Sequence, residues 1–283
     1  MTSTDHTDDR ADLIALLDFQ SGAGVDLALD EAPHDRFSEA EPAPQRQERV
    51  RPPLPARAPP EPRPAPPRTY GSSASAKPDE AADDARARAG QTDSLEELEA
   101  LLRGFEGCGL RFTAKNLVFA DGNPQARVMF VGEAPGADED RIGKPFMGRS
   151  GQLLDRMMTA IRLDRSSAYI ANIVPWRPPG NRNPTPQEVS ICKPFIERQI
   201  ALANPEILVC LGAPATQNLL NTKDGILKSR GRFFPYRLPD GREIKALATL
   251  HPAYLLRQPV QKRLAWRDFR SLRAALDAGG QPE

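Results

Sequence analysis

The sequence predicts an α/β protein: three layers, αβα, built on a central, mostly parallel four-stranded sheet and preceded by a long disordered tail. Three observations carry that expectation. Four short apolar runs alternate with helical patterns from Thr92 onward, and such alternation implies a parallel sheet covered on both faces. The first third of the chain differs in kind, with 13 of the 29 prolines between Pro33 and Pro78. The charge divides at the same place. Residues 1–90 hold 17 acidic and 11 basic residues (−6), residues 91–283 hold 21 and 27 (+6), so the formal zero joins an acidic tail to a basic domain.

Residues 1–91 form the expected tail. Within it, residues 10–20 (RADLIALLDFQ) have the spacing of a short amphipathic helix, with Leu13, Leu16 and Leu17 on one side. It reads either as a fraying terminal segment or as a docking peptide for a protein partner. The proline-rich stretch that follows lacks backbone donors and large apolar groups, so neither helix nor sheet is expected there. The N-terminus has no basic run ahead of an apolar one, as a secretory signal would. No run of 18 apolar residues suggests a membrane span. Three cysteines do not make a disulfide framework, which points to a reducing, cytoplasmic setting.

The expected domain covers residues 92–279. Ser94, followed three residues later by Glu97, is a capping-box pattern that starts a helix carrying Leu95, Leu98, Leu101 and Leu102. The four expected strands are Arg127–Gly132, Tyr169–Val174, Glu206–Gly212 and Ile244–Leu250. Gln152–Leu163 has helical spacing of Leu153, Leu154, Met157, Met158 and Ile161. Thr185-Pro186-Gln187-Glu188 combines a capping box with proline at the first helical position, and that helix should run to about Ala203. Gln261–Ala278 closes the chain, with Ala265, Phe269, Leu272 and Leu276 inward and Arg263, Arg267 and Arg270 outward.

Ligands of such sheets bind beyond the carboxyl ends of the strands. There the sequence places GEAPGADED, RPPGNRNP with an Asn just before it, GAPA, and HPAYLLR. Glycines at Gly132 and Gly136 allow close approach of backbone to a ligand, although a tight turn alone would explain them. Phe146, held in the loop GKPFMGRSGQLL, can stack on a planar ligand or simply fill a core. Phosphate-binding fingerprints of the G-x-x-x-x-G-K-[ST] and G-x-G-x-x-G types are missing, which weakens a nucleotide-binding reading.

Taken together, VGEAPGADED, GKPFMGRSGQLLD, YIANIVPWRPPGNRNPTPQE, LVCLGAPA and HPAYLLR resemble family 4 of the uracil-DNA glycosylases in order and spacing, from about Leu101 to Leu272. The resemblance implies a DNA repair enzyme that hydrolyses the N-glycosidic bond of deaminated bases, chiefly uracil, and leaves an abasic site. It implies catalytic roles for Glu133, which handles the attacking water, for His251, which faces a uracil oxygen, and for Glu139 as an additional acid. It implies uracil contacts from the Ala134 backbone, Phe146 and Asn172. Leu255 and Leu256 would enter the duplex, and Arg257 and Arg149 would meet DNA, with Arg177, Arg182, Arg230, Arg232 and Lys262 adding positive charge nearby.

Chemistry makes these positions plausible. A donor aimed at the departing base stabilises its negative charge. An amide such as Asn172 matches the uracil edge, whereas cytosine reverses that pattern and leaves polar groups unpaired. Each has a plainer alternative: a carboxylate capping a helix for Glu133, a buried strand-edge amide for Asn172, core packing for Leu255 and Leu256. The run Asp138-Glu139-Asp140 is expected to be largely solvated, which ranks Glu133 above Glu139. The alternative function is a relative that binds uracil or single-stranded DNA without turnover. A monomer is expected, acting on nucleoid DNA.

The family resemblance also implies a [4Fe–4S] cluster on four cysteines, and here the chain departs from it. Cys108 and Cys192 match two ligands, while Phe105 and Trp176 stand at the other two. A cluster needs thiolates around it. The expectation is therefore that no cofactor is bound, that Phe105 and Trp176 fill the volume, and that Cys210 is a core thiol.

Overall fold

The computed structural model describes residues 78–279. The expected helix at 10–20 and the proline-rich segment up to residue 77 lie outside the described residues. Helical structure begins at Pro78, earlier than the Thr92 boundary. Helix α1 (Pro78–Gly90) buries Ala81, Ala82, Ala85 and Ala89 along one side, and α1 packs on α5 (Pro186–Ala203). The sequence assigns residues 78–91 to the tail because alanine signals little hydrophobicity, yet alanine has high helix propensity and lets two helices approach closely. Helix α1 adds four acidic and two basic residues to the folded part, which lowers its excess of +6 to +4.

Helix α2 (Leu95–Gly104) starts where expected, with the Ser94 hydroxyl accepting from the Glu97 amide at 3.1 Å. Six strands follow among the described residues: β1 (Asp121–Gly122), β2 (Val128–Gly132), β3 (Tyr169–Asn172), β4 (Ile207–Leu211), β5 (Phe233–Arg237) and β6 (Glu243–Thr249). Their order is β1-β3-β2-β4-β6-β5, with helices α6 (Ala213–Leu220) and α7 (Ile226–Ser229) between β4 and β5 in the chain. The four expected strands form the parallel centre. The sheet is wider than the predicted four because β1 and β5 pair antiparallel at its two edges. Neither reads as a strand in the sequence: β1 is two residues long, and β5, though it holds Phe233, Phe234 and Tyr236, carries Pro235, which argues against a central strand and suits an edge.

The central strands are buried on both faces, so alternate residues enter different cores. Val128, Phe130, Ile170, Val209 and Leu247 pack with Leu154 and Met158 of α4 (Arg149–Thr159) and with Phe269 and Leu272 of α9 (Lys262–Gly279). Met129, Val131, Ala171, Leu208 and Cys210 face the other way, toward α1, α2 and α5. The capping box on α5 forms in full, Thr185 Oγ1 accepting from Glu188 N and the Glu188 carboxylate from Thr185 N. Buried Asp268 on α9 pairs with Arg230 and accepts from Thr249 Oγ1 at 2.7 Å, tying the helix to β6. Arg230 therefore serves the core, not a DNA surface as expected.

Register brings the strand ends together. Gly132 sits beside Asn172, and Leu211 beside Thr249. Strand β2 lies between β3 and β4, and the intervening helices cover opposite faces of the sheet. That is the topological switch point of an open α/β sheet, where a crevice opens at the carboxyl edge.

Candidate active site

Two cavities meet at that edge. The smaller, of about 180 Å³, is lined by Ala134, Glu139, Phe146, Ser150, Asn172 and His251, among others. The larger is an open groove of about 510 Å³ that includes Glu133, Asn183, Tyr254 and Arg257. Ala134, His251 and Ala253 line both, so they form the wall the two share.

Asn172 ends β3 and is buried, yet its carboxamide makes no hydrogen bond within the protein among the described residues. The amide lines the small cavity, so its donor and acceptor are free to pair with a ligand there. Gly132 makes this placement possible. A Cβ there would meet Asn172 Oδ1 at 2.5 Å and the Phe146 ring at 2.7 Å. The strand thus ends in glycine so that an amide and an aromatic ring can share the space above it.

Phe146 is buried and lies 5.6 Å from the His251 ring, tilted by 31°. Its backbone is left-handed, with φ of 55°, a conformation that costs a side-chain-bearing residue energy and persists only when its surroundings enforce it. Three features do so. Arg165 Nη1 donates to the Pro145 carbonyl at 3.2 Å and its other terminal nitrogen donates to the Phe146 carbonyl. The same guanidinium is anchored by Asp121 at 2.6 Å and Asp155 at 2.9 Å. Gly151 leaves room for the Phe146 carbonyl, which would lie 1.7 Å from a Cβ there.

Glu139 is the third. It is buried, and its carboxylate accepts from Gly136 N at 3.0 Å, Met147 N at 2.8 Å and Gly148 N at 2.9 Å. Three backbone donors hold it in place, tying the Gly136 turn to the Phe146 loop. Asp140 is also buried and accepts from Lys115 N at 2.8 Å. The acidic run is thus not solvated as expected. Only Asp138 faces water, because the short helix α3 (Ala137–Ile142) turns its neighbours inward.

Glu133 follows β2, is partly buried in the groove, and forms no ion pair or side-chain hydrogen bond among the described residues. Burial pushes its carboxyl up from the ordinary value of 4.5. His251 caps α8 (Pro252–Arg257): its Nδ1 accepts from the Ala253 amide at 3.1 Å. Burial, with the nearby Arg257 charge, pushes the imidazole down to about 4, against a smaller opposing pull from Glu139. Near neutral pH it is uncharged, and since Nδ1 is an acceptor, its proton sits on Nε2. Gly212, at φ of +90°, lets β4 end against this histidine, where a Cβ would lie 2.9 Å from His251 Cβ.

Leu255 and Leu256 separate. Leu255 is fully buried with Leu250 and Ala265, so it is not available to enter a duplex, contrary to expectation; the turn of α8 directs it into the core. Leu256 is 37% exposed, and Arg257 and Arg149 are exposed. Arg182 pairs with Glu188 at 2.6 Å, so that charge is already matched. Arg165, Asp121, Gly151 and Tyr254 were not singled out by the sequence. Of the two ionic residues, Asp121 lies in the two-residue strand β1 and Arg165 in a turn, with no pattern to mark either.

The positions that would carry a cluster form a closed hydrophobic core. Cys108 and Cys192 are fully buried with Sγ atoms 3.8 Å apart. Phe105 is fully buried and edge-on to Phe195, with ring centroids 4.8 Å apart at 70°. Its ring closes over Gly107, and Trp176 is 2% exposed in the same core. The Cys192 thiol, donating to Cys108 and buried, is pushed well above its ordinary value and stays protonated. Two close thiols with protein atoms around them do not fit a four-thiolate cluster.

A family model described as "Uracil DNA glycosylase superfamily" matches residues 119–270. The chain is similar to a type-4 uracil-DNA glycosylase of Archaeoglobus fulgidus, 37% identical over 184 residues, covering 64% of this chain and 92% of that one. It is similar to the type-4 enzyme of Saccharolobus solfataricus, 38% identical over 191 residues, covering 66% and 88%. The type-4 enzyme of Thermotoga maritima is 42% identical over 151 residues, covering 53% and 77%.

Proposed function

Because the chain belongs to the uracil-DNA glycosylase superfamily, we propose that its two joined cavities excise uracil from DNA. The protein is a glycosylase of DNA repair, hydrolysing the N-glycosidic bond and leaving an abasic site. One observation carries the assignment of the site. Glu133, Asn172 and the Nε2 side of His251, three polar groups without protein partners, open onto two cavities that share a wall.

The enzyme must take the base out of the stack, at a cost of a few kcal/mol. The small cavity receives the base, with Phe146 against its face and Asn172 on its edge. The deoxyribose lies in the groove, so the scissile bond crosses the wall at Ala134 and His251. As the bond breaks, negative charge grows on the base and positive charge on the sugar. His251 Nε2–H donates to the base oxygen, and being neutral it can do so without surrendering a proton. Glu133, on the sugar side, orients water and accepts its proton. Leu256 occupies the gap in the stack, and Arg257 and Arg149 meet phosphates.

No step uses an iron–sulfur cluster, and the packed Phe105–Trp176 core supports a protein that folds without one. The test is incubation with a uracil-containing oligonucleotide followed by hot alkali. Strand cleavage at the uracil position is expected. Tight binding without cleavage at high enzyme concentration would instead indicate a uracil-binding protein without turnover.

A further inference from the structure

Helices α4 and α9 both start near the site edge and run away from it. α4 begins just after the Phe146 loop and α9 just after α8. A groove lies between them. Its nearer part, about 200 Å³, is lined by Arg156, Met157, Leu255, Lys262 and Trp266, among others. Its farther part, about 420 Å³, includes Arg162, Trp266, Arg270, Arg273 and Asp277. Trp266 and Ala160 line both parts, so the two are continuous.

The groove has an unusual composition. Trp266 is 46% exposed, whereas the protein's other tryptophan, Trp176, is 2% exposed. Arg156, Lys262 and Arg270 form no ion pair among the described residues, and Arg162 only faces the Arg273–Asp277 pair. Lys262, Trp266, Arg270, Arg273 and Asp277 recur every three or four residues, so they make one stripe along α9. At a rise of about 1.5 Å per residue the stripe is about 22 Å long.

Unpaired cations beside an exposed aromatic face are what a single nucleic-acid strand requires: charge for phosphates, a flat surface for a base. An acidic peptide would use the cations and leave the indole without a planar partner. The groove also adjoins α8, whose Leu255 lines it and whose Arg257 lines the larger cavity of the site. We infer that it binds a single-stranded stretch of DNA flanking the lesion, with Trp266 stacked on a base and Arg162 and Arg270 on phosphates. The inference rests on DNA being the substrate.

The test uses the full chain and uracil-free DNA, so that it does not depend on excision. A duplex with a single-stranded overhang, 5′ or 3′, should bind at least about fivefold tighter than the blunt duplex. Trp266→Ala and the double variant Arg162→Glu/Arg270→Glu should each abolish that advantage. The double variant should also lower the log–log salt slope for the overhang by about 1.4, two contacts at about 0.7 each. Overhang DNA should quench the exposed indole, with buried Trp176 as constant background. Excision from a blunt uracil duplex and the melting temperature should be the same in all three proteins. Equal affinity for overhang and blunt DNA, or an advantage surviving both variants, would overturn the inference. So would quenching of Trp266 by polyglutamate but not by single-stranded DNA. Loss of excision from every substrate with the overhang effect intact would reject the proposed activity and keep the groove.

Discussion

The Nδ1 atom of His251 accepts a hydrogen bond from the Ala253 amide at 3.1 Å. This contact caps α8 and also decides the chemistry of the ring, because a nitrogen that accepts is not the one that carries the proton. The imidazole is held neutral by burial and by the Arg257 charge, with an ordinary value of 6.5 pushed down to about 4.

The pH dependence follows from that shift. His251 should contribute no titration to the excision rate above about pH 5. The rising limb of kcat/KM should belong to Glu133, above the ordinary carboxylate value because burial raises it. Glu133→Gln should remove that limb. A depressed histidine also makes the fold acid-sensitive. Its stabilising effect is complete above about 6.5 and is lost as pH falls toward about 4, since only the unfolded state takes up the proton in that window. The stability difference between wild type and His251→Asn in urea should therefore shrink over that range.

Gly132 governs whether Asn172 and Phe146 can both reach the base pocket. Gly132→Ala would place a methyl 2.5 Å from the amide oxygen and 2.7 Å from the ring. Excision should fall by at least about tenfold, through misplacement of positioned groups. Circular dichroism should show the sheet retained.

Arg165 joins Asp121 and Asp155 to the backbone of the Phe146 loop. Arg165→Ala should raise KM more than it lowers kcat and should destabilise the protein by about 1–3 kcal/mol, as partly buried carboxylates lose their donors. Arg165→Lys should rescue little, since one ammonium cannot reproduce the forked set of contacts. Urea denaturation and steady-state kinetics on the two variants check this.

The thiol pair gives a compositional test. Protein purified from iron-rich medium should carry no stoichiometric iron by elemental analysis and no brown chromophore. Cys108→Ser/Cys192→Ser should retain uracil excision within about threefold of wild type, since small buried thiols act here as packing groups.

Much of this architecture was legible in the sequence, for identifiable reasons. Apolar runs marked the four parallel strands because each is buried on both faces. Thr185 and Glu188 marked the start of α5 because they form a complete box. Edge strand β1 is too short to read, β5 carries Pro235 among its aromatics, which argues against a strand, and α1 hid because alanines bury without appearing hydrophobic. In the site, Asn172 and His251 come together at the strand ends as the strand-end rule required, and Phe146 joins them from the loop before α4. Sequence could not tell that Leu255 turns inward while Leu256 turns out, since that depends on the rotation of one short helix. Nor could it show Glu139 saturated by three backbone donors drawn from two loops.

The most direct test of the central claim is single-turnover excision of uracil by wild type, Glu133→Ala, Asn172→Ala and His251→Ala, each confirmed folded by its melting curve. The three unpartnered groups are predicted to matter separately. Each variant should lose about 10²-fold or more, the His251 loss reaching the scale of removing one oxyanion donor. Wild-type rates in all three would contradict the assignment of this crevice as the place where the glycosidic bond breaks.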